Sequence, residues 1–471
     1  MNENPIWPLV ETHAPRLKAM SDRVWSTPET CYGEHRSAAE HLAELTHHGF
    51  RVTEGLADIP TAMQGEAGSG GPVIAFLGEY DALAGLSQEA DVAEPTPLEE
   101  GGNGHGCGHN MLGSAAMLAA IAVKDWLAQT GAPGRVRYVG CPAEEGGAAK
   151  AFMVADGVFD DVDIAITWHP GAIAQVMRGS SLAAARLDFS FTGRASHAAA
   201  SPHLGRSALD AVELMSVGVN YLREHMTDQA RIHYAYLDAG GTAPNVVQAQ
   251  AQVRYVVREP RVREMMKLIE RVKKVAQGAA LMTETEMQAE LVTVSSELVP
   301  NTPLCDAMQA NLEALGPPPF NDADRDYAAR FQATFSPDDI AGSWGMAGMT
   351  PQAGKVLADF LPPADLPVLD LPGSTDVGDV SWVVPTVQLW GANYAIGTPF
   401  HSWQMVAQGK GAPALKGMEH AAKVMAATGI DALSDPDLIA RAKADLAVRT
   451  GPEGYIRPLP ADARPPIDEM A

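Results

Sequence analysis

The 471-residue chain has the composition of an ordinary globular protein and a strongly acidic charge. Apolar residues make up 46% of it and charged residues 20%. A chain of this length usually exceeds one core, so we expect two domains, or one domain with a large insertion. The net charge of -24 argues against a nucleic-acid partner, whose binding proteins need a basic face, and against an anionic membrane surface.

The cysteines and the first residues of the chain indicate the cellular compartment in which the protein is expected. Four cysteines are scattered without the short spacing of a disulfide framework: Cys31, Cys107, Cys141 and Cys305. Residues 1–29 lack the basic segment and apolar stretch of a secretion signal, and we identify no apolar run long enough to span a bilayer. We therefore expect a cytoplasmic protein with no membrane partner, where a thiolate would stay reduced.

The first 182 residues alternate between strands, polar loops and helices. The apolar pattern predicts helices at 5–24, 35–48 and 111–123, and strands at 73–77, 135–140 and 162–167. A polar cluster follows each strand. This order predicts an α/β fold, in which ligands bind beyond the carboxyl ends of the strands.

The middle of the chain, residues 183–299, has a different pattern. Strands are predicted at 182–192, 232–236, 246–257 and 287–294, with amphipathic helices at 206–222 and 261–277. This pattern indicates an α+β unit of two helices on a sheet. It is inserted between the two pieces of the larger domain, residues 1–182 and 300–471. We interpret the apolar faces of the helices as packing surfaces.

The last part returns to the larger domain. Residues 330–372 are rich in glycine and proline and predict a loop region, followed by a strand at 380–384. Helices are predicted at 413–427 and 436–448. The proline-rich tail from Pro452 is expected to be loosely ordered.

Two metal-binding side chains share the glycine-rich turn at residues 104–110, which reads GHGCGHN. Cys107 and His109 lie two residues apart there, and thiolate and imidazole both bind borderline-soft divalent metals. The alternative is a glycine-rich loop with one buried cysteine and two histidines of no special role. The turn by itself favours neither interpretation.

The other strand-end loops add further donors. Together with the turn they offer six: Cys107, His109, Glu144, Glu145, His169 and His401. Two metal ions about 3.5–4 Å apart would need about this many ligands, with one carboxylate left for proton transfer. Neighbouring acids point in different directions, so one of the Glu144–Glu145 pair could bind metal while the other faces a water. The alternative for that pair is a solvated turn.

Five motifs in this order resemble a known family. They are GHGCGHN at 104–110, CPAEEGG at 141–147, TWHP at 167–170, GRASHAAASP at 193–202 and GTPFHSW at 397–403. The chain resembles the dinuclear metallopeptidases of the carboxypeptidase G and aminoacylase family. Within it, the chain is similar to the amidohydrolase branch that has a cysteine ligand. The resemblance covers residues 25–427 and implies a catalytic domain with helices around a mixed sheet, plus an inserted lid and dimerisation domain.

The resemblance implies roles for residues of the larger domain. Two divalent ions, Mn²⁺ or Zn²⁺, would be held by five ligands: Cys107, His109, Glu145, His169 and His401. The resemblance does not assign each ligand to one of the two ions. Glu144 matches the general base, which would take a proton from a water and pass it to the leaving amine. Asp81 matches an acid that orients the site.

The resemblance also implies a partner subunit and a substrate. His197 matches a histidine that stabilises the oxyanion and comes from the other subunit in relatives, which implies a homodimer. Asn245 and Arg258 match residues that hold the α-carboxylate of the substrate, for which a guanidinium is suited. The implied substrate is a small N-acyl amino acid with an aromatic acyl group and an acidic amino acid, such as p-aminobenzoyl-glutamate.

Two positions depart from the family pattern. Many relatives have a ligand histidine where this chain has Glu79, and His109 substitutes for it here. Many members of the cysteine branch have aspartate where this chain has Asn110, so we expect Asn110 to be inessential. Two other functions stay open: a dipeptidase or general aminoacylase on the same scaffold, and a non-catalytic subunit paired with a related second chain.

Overall fold

The protein is described by a computed structural model, which covers residues 4–470. Fourteen helices run along this part of the chain: α1 Trp7–Trp25, α2 His35–His47, α3 His109–Thr130, α4 Ala149–Ala155, α5 Ala208–Leu222, α6 Val262–Thr283, α7 Thr302–Leu315, α8 Asp322–Gln332, α9 Pro337–Met346, α10 Val377–Val383, α11 Trp403–Gln408, α12 Ala412–Ser434, α13 Pro436–Thr450 and α14 Ile467–Met470. Eleven strands accompany them: β1 Arg51–Glu54, β2 Met63–Ser69, β3 Val73–Glu79, β4 Gly134–Cys141, β5 Ile164–His169, β6 Ala172–Val176, β7 Ala183–Thr192, β8 Arg231–Asp238, β9 Gln250–Glu259, β10 Glu286–Ser295 and β11 Thr386–Ala392.

A seven-stranded mixed sheet forms the centre of the larger domain, called the main domain below. Its strand order is β1-β2-β4-β3-β5-β11-β6. The four central strands β4, β3, β5 and β11 run parallel, while β2 and β6 pair antiparallel at their flanks. The α/β class with a mixed sheet, predicted from the sequence, is confirmed.

Helix α3 is the core helix of the main domain. It packs against α1, α12 and the sheet, and it is buried from His109 through Val123. By length and composition alone this helix could cross a membrane, so the prediction that no apolar run is long enough was wrong. Its burial accounts for the apolar sequence, because a helix enclosed on all sides needs no polar face.

The inserted domain, residues 183–295, contains a separate four-stranded antiparallel sheet. The strand order is β10-β7-β9-β8, and α5 and α6 cover one face. Side chains such as Leu187 and Tyr255 alternate into the core beneath the helices. The predicted arrangement of two helices on a sheet is confirmed. The predicted strand at 246–257 begins later, at Gln250.

Three predictions for the last part were wrong. The apolar segment predicted as a strand at 380–384 lies mostly in α10, and the following strand β11 joins the sheet instead. Tertiary contacts outweigh the β propensity of its valines, because Asp379 binds the backbone N–H and hydroxyl of Ser296 at 3.0 and 2.8 Å.

The region 330–372, predicted as a loop, contains α9, whose start is a capping box of Ser336 and Asp339. The tail is docked, since Leu459 is buried and the Tyr455 hydroxyl donates to Asp379 at 2.8 Å.

Candidate active site

The predicted site residues of the main domain meet at one edge of the sheet. Strands β3, β4 and β5 run parallel, so their carboxyl ends reach the same edge. Asp81 follows β3, the Glu144–Glu145 pair follows β4, and His169 ends β5. The His401 loop joins them because the backbone N–H of His401 donates to the carbonyl of Gly106 at 2.9 Å.

Two groups of donor atoms share one thiol. Cys107, His109 and His169 form the first group, and Cys107, Glu145 and His401 form the second. Within each group the donor atoms lie within 4.8 Å of one another. Cys107 Sγ is 3.3 Å from His169 Nε2, and His401 Nε2 is 3.3 Å from a Glu145 oxygen. Cys107 is therefore common to both groups of candidate metal ligands.

Hydrogen bonds set which nitrogen of each imidazole faces the site. His109 Nδ1 donates to the Asp81 carboxylate at 2.8 Å, and His169 Nδ1 donates to the carbonyl of Pro170 at 2.8 Å. Both bonds leave Nε2 with a free lone pair directed into the site, which is how ligand histidines are usually oriented. Asp81 also accepts the backbone N–H of Glu145 at 2.9 Å, so it positions two of the donor residues.

Two buried polar atoms in this cluster lack a hydrogen-bond partner within the described residues. His109 Nε2 and Glu145 Oε1 make no hydrogen bond although both are buried, and His109 Nε2 lies only 3.3 Å from a Glu79 oxygen. Burial raises the pKa of the Cys107 thiol well above its usual value, and the charge of Glu145 raises it further. A cation would satisfy all of these groups at once, so the donor set fits divalent metal.

The loops that carry the donors have uncommon backbone conformations. Ala143 and His401 have positive φ angles of 55°, which non-glycine residues rarely adopt. Gly108 has φ of 77°, and a Cβ there would collide with the Tyr394 hydroxyl. Such strain persists only where surrounding contacts impose it, and it is common at functional sites. One such contact is the bond of 2.8 Å from the Ala143 N–H to the Glu34 carboxylate.

Glu144 lies in a cleft between the two domains. This cleft is also lined by Arg258 of β9, and Arg258 donates to the Ser374 hydroxyl at 3.0 Å. Burial raises the pKa of Glu144 well above its ordinary value, with the charges of Glu79 and Asp376 adding to the effect. Because its protonated form is stabilised in this way, the Glu144 carboxyl group is suited to hold a proton that it has accepted.

The other two predicted residues of the inserted domain lie away from that cleft. His197 and Asn245 are both exposed, on neighbouring loop segments joined by a bond of 3.0 Å from the Ala198 N–H to the Asn245 carbonyl. The Nδ1 atom of His197 accepts the backbone N–H groups of Ala199 and Ala200 at 3.2 and 3.1 Å. Its Nε2 is therefore the protonated nitrogen, available as a donor to a group outside this fold unit.

An ion-pair network beneath the site was missed by the sequence analysis. Lys150 is fully buried, with its ammonium 2.7 Å from Glu79 and 2.5 Å from Asp376. Although burial by itself lowers the pKa of Lys150, Asp376 and Glu79 raise it well above its usual value. Glu79 is thus held as an anion next to His109. A charged residue at the start of an otherwise apolar helix, AKAFMVA, was the available signal.

A larger cavity of about 540 Å³ has a wall that contacts His169. Trp390, Tyr394 and Phe400 contribute to its wall. The rings of Trp390 and Phe400 lie 4.9 and 5.8 Å from the His169 ring, centre to centre. An apolar space of this size next to a polar cluster is typical of a small-molecule site.

Comparisons with known proteins agree with this geometry. Residues 75–393 match the model of Peptidase family M20/M25/M40. A subunit of the p-aminobenzoyl-glutamate hydrolase of Escherichia coli (strain K12) is 46% identical over 467 residues, covering 97% of each chain. The Xaa-Arg dipeptidase of Mus musculus is 30% identical over 321 residues, covering 65% of this chain and 70% of that protein. A dinuclear metal binding peptidase from Bacillus subtilis has a TM-score of 0.51 at 16% identity, covering 88% of this chain and 99% of that chain.

The family model spans more than half of the chain, and the Escherichia coli relative aligns along almost all of it. The donor atoms gathered at the strand ends are of the kind that a metal-dependent hydrolase requires. This chain belongs to Peptidase family M20/M25/M40 and is a metal-dependent amidohydrolase that acts on N-acyl amino acids.

Proposed function

We propose that this enzyme hydrolyses the amide bond between an aromatic acyl group and an acidic amino acid, with p-aminobenzoyl-glutamate as the first candidate. The observation that carries the proposal is the cleft in which Glu144 and Arg258 face the same space, next to the donor atoms of Glu145 and His401. The Glu144 carboxylate, as the base, and the Arg258 guanidinium, which would bind a carboxylate of the substrate, are thus held beside one group of candidate metal ligands. The name of the Escherichia coli relative suggests the particular substrate.

The five donor residues Cys107, His109, Glu145, His169 and His401 would hold two divalent ions. Thiolate and imidazole suit zinc, while the carboxylates also allow manganese. The name of the Bacillus subtilis neighbour, a dinuclear metal binding peptidase, supports the number of ions. A thiolate ligand persists in a reducing compartment, so we also propose a cytoplasmic location.

The mechanism assigns a separate task to each residue of the cleft. Bound divalent ions would supply Lewis-acid polarisation of the amide carbonyl and a lowered pKa for the attacking water. Glu144 takes the proton of that water at a carboxylate oxygen and then delivers it to the departing amine nitrogen. Arg258 binds the α-carboxylate and fixes the amide relative to Glu144. Asp81 keeps His109 in the tautomer that the site needs.

The aromatic cavity is the place we propose for the acyl group. It reaches the cluster through Trp390 and Phe400, on the side of His169. The cleft with Glu144 and Arg258 contains Glu145 on the other side. A substrate would therefore have its aromatic ring against Trp390 and its carboxylates near Arg258. Offset or edge contacts with these rings would stabilise an aromatic acyl group by about 0.5–1.5 kcal/mol beyond area burial.

A homodimer is proposed because His197 has no role within the described fold unit. Its protonated Nε2 is exposed and would act as an oxyanion donor in the site of a second subunit. Strand β8 forms an edge of the inserted sheet and exposes Tyr234, Tyr236 and Leu237. An apolar edge of this kind is a template for pairing with another chain. Because the Escherichia coli relative is named as a subunit, pairing with a related second chain is the alternative.

The function is tested by assaying the full chain after reconstitution with Zn²⁺ or Mn²⁺. Four compounds are compared: p-aminobenzoyl-glutamate, indoleacetyl-aspartate, hippurate and a dipeptide that ends in arginine. We expect the highest kcat/KM for p-aminobenzoyl-glutamate. A preference for the dipeptide would support the dipeptidase function instead. Bound metal near two ions per chain without turnover of any compound would support a non-catalytic subunit.

The dimer is tested by complementation between two inactive variants. Glu144→Gln lacks the base and His197→Ala lacks the donated imidazole, so each homodimer should be impaired. If His197 crosses between subunits, mixed dimers contain one site with both residues intact, and activity should return on mixing. Activity that stays at the level of the two parents, in mixtures shown to exchange subunits, would contradict the shared site.

A further inference from the structure

Arg186 of the inserted sheet faces the same cleft as Glu144 and has no anionic partner among residues 4–470. Arg186 lies on β7, two residues beyond Ala184, which pairs with Arg258 on β9. Alternate residues of a strand point to the same face, so Arg186 and Arg258 share the face opposite to the α5–α6 layer. Both side chains line the cleft that contains Glu144.

The other arginines of this face are satisfied, whereas Arg186 is not. Arg254 makes two bonds of 2.7 Å to the carboxylate of Asp188, and Arg258 donates to Ser374. Within residues 4–470, no hydrogen bond or ion pair is formed by the guanidinium of Arg186. Its side chain is half-buried, so water does not fully replace the missing partner.

The charges around Arg186 also favour an added anion. Burial lowers the pKa of Arg186, and the neighbouring cation Arg254 lowers it further; Cys31 and Asp188 oppose this, and Arg258 adds the smallest lowering effect. The anion Asp188 is already occupied by Arg254. A carboxylate placed between Arg186 and Arg258 would offset the repulsion between two cations and restore two sets of charge-assisted hydrogen bonds.

We propose that Arg186 determines specificity by binding a second carboxylate of the substrate, so that the enzyme selects N-acyl dicarboxylic amino acids. This inference rests on the proposed function, in which Arg258 holds the α-carboxylate. Arg186 and Arg258 are diagonal neighbours on paired strands, a separation of roughly 7–8 Å between backbones. Two carboxylates joined by a short aliphatic chain, as in glutamate, could each bind one guanidinium. The same pair of cations would repel a substrate that ends in a basic amino acid.

The test compares two substrates that differ only in the second carboxylate. The wild-type chain and Arg186→Gln, both reconstituted with metal, are assayed on p-aminobenzoyl-glutamate and p-aminobenzoyl-glutamine. Loss of a charge-assisted bond should lower kcat/KM for the glutamate compound by roughly 10- to 100-fold, mainly through KM. The glutamine compound should change by less than about threefold, because it makes no ion pair with Arg186. Arg186→Lys, which keeps the charge but loses the planar fork, should give an intermediate preference.

Arg231→Gln is the matched control, because it removes an exposed guanidinium from the same sheet that binds the backbone carbonyls of Asp228 and Ala230 and so frees no anion beside Arg186. It should leave the ratio of the two kcat/KM values unchanged, even if both values fall. A readout without catalysis is the dissociation constant of free glutamate and of free glutamine, measured calorimetrically on the metal-free protein. Arg186→Gln should weaken glutamate binding alone.

The outcomes separate this inference from the proposed function. If the wild-type chain cleaves both compounds with equal kcat/KM, or if Arg186→Gln lowers both in proportion, Arg186 does not read the second carboxylate although the amidohydrolase function stands. If the wild-type chain cleaves neither compound while it hydrolyses another N-acyl amino acid, the proposed substrate itself is wrong. Should Arg186→Gln fail to fold, the Arg186→Lys ratio decides the question in the same way.

Discussion

The main domain and the inserted domain contribute to the site in different ways. The main domain supplies every candidate metal donor of residues 4–470, from the ends of adjacent parallel strands, the turn at the start of α3 and the His401 loop. The inserted domain supplies cations on one sheet face, and its His197 is exposed. The candidate metal ligands therefore meet at a single edge of one domain, whereas substrate recognition, as we propose, depends on a second sheet and on a second subunit.

The histidines show the same contrast. Those of the main domain include His41, His105 and His420, which are at most 3% exposed. The inserted domain has four, and all are exposed: His197, His203, His225 and His233. Buried neutral imidazoles make the main domain sensitive to acid, while the inserted domain is spared. Each prediction below tests one side of this comparison, in order of decreasing effect.

The largest effect is expected from the base. Glu144→Gln removes the proton acceptor but none of the five residues proposed as metal ligands, so kcat should fall by roughly 10²- to 10⁴-fold. Metal content, measured by elemental analysis, should stay at the wild-type level. Glu100→Gln, on an exposed loop, is the matched control and should retain full activity. A Glu144→Gln enzyme that turns over at nearly the wild-type rate would show that the base is misassigned.

The buried ion pairs beneath the site should dominate stability. Lys150→Met leaves Glu79 and Asp376 buried without a cation, so the free energy of unfolding should fall by roughly 3–5 kcal/mol. Urea unfolding monitored by circular dichroism measures the difference. Lys443→Met, which breaks a pair whose lysine is 53% exposed, should cost less than about 1 kcal/mol. Equal losses for the two variants would contradict the role of burial.

Metal affinity should depend on the shared thiol. Cys107→Ser replaces a donor common to both groups of candidate ligands. Changes to residues that only contact a ligand already lower metal affinity by about 10- to 100-fold, so we expect Cys107→Ser to lower metal affinity by at least this factor. Titration against a chelator, followed by elemental analysis, gives the value. Cys305→Ser changes a buried cysteine outside the site and should bind metal normally. Unchanged affinity in Cys107→Ser would remove this residue from the ligand set.

The smallest effect concerns acid stability. Burial lowers the pKa of His420 to about 4 in the folded state, although a bond of 2.7 Å to the Gly316 carbonyl opposes this. The unfolded state therefore takes up a proton first, and the stability present above about pH 6.5 is lost as pH falls towards 4. Between pH 6.5 and 5, protonation of His420 should lower the free energy of unfolding by about 2 kcal/mol. The fall in the free energy of unfolding over this pH range should therefore be smaller by that amount in His420→Gln.

Urea unfolding at the two pH values gives the comparison, with His203→Gln of the inserted domain as the control. That exposed residue should leave the pH dependence unchanged. The same slope in wild type and His420→Gln would mean that His420 is not buried as a neutral ring. Amide hydrogen exchange at pH 5 gives a second test. If the buried histidines make the main domain acid-sensitive, its amides should lose protection before those of the inserted domain.

Much of the fold could be predicted from the sequence because its signals are local. Apolar runs such as residues 73–77 and the helical period of residues 206–222 predicted β3 and α5 with nearly correct bounds. Segments whose state depends on distant partners were predicted less well. The valines before Pro385 form a helix because Asp379 binds Ser296, which is 83 positions away. Strands β2 and β6 have weak local patterns and are defined by their pairing partners.

For the candidate site, residue types and motif order were sufficient to nominate Cys107, Glu145 and His401, and their roles remain predictions. What the sequence by itself determined was the α/β pattern and a set of donors at strand ends, because periodicity and short motifs are carried by adjacent residues. Only the tertiary structure decided that Lys150 is buried between Glu79 and Asp376, and that Arg186 forms no hydrogen bond or ion pair within the described part of the chain. Whether a charge is paired depends on side chains from distant parts of the chain, and no local spacing encodes their distance.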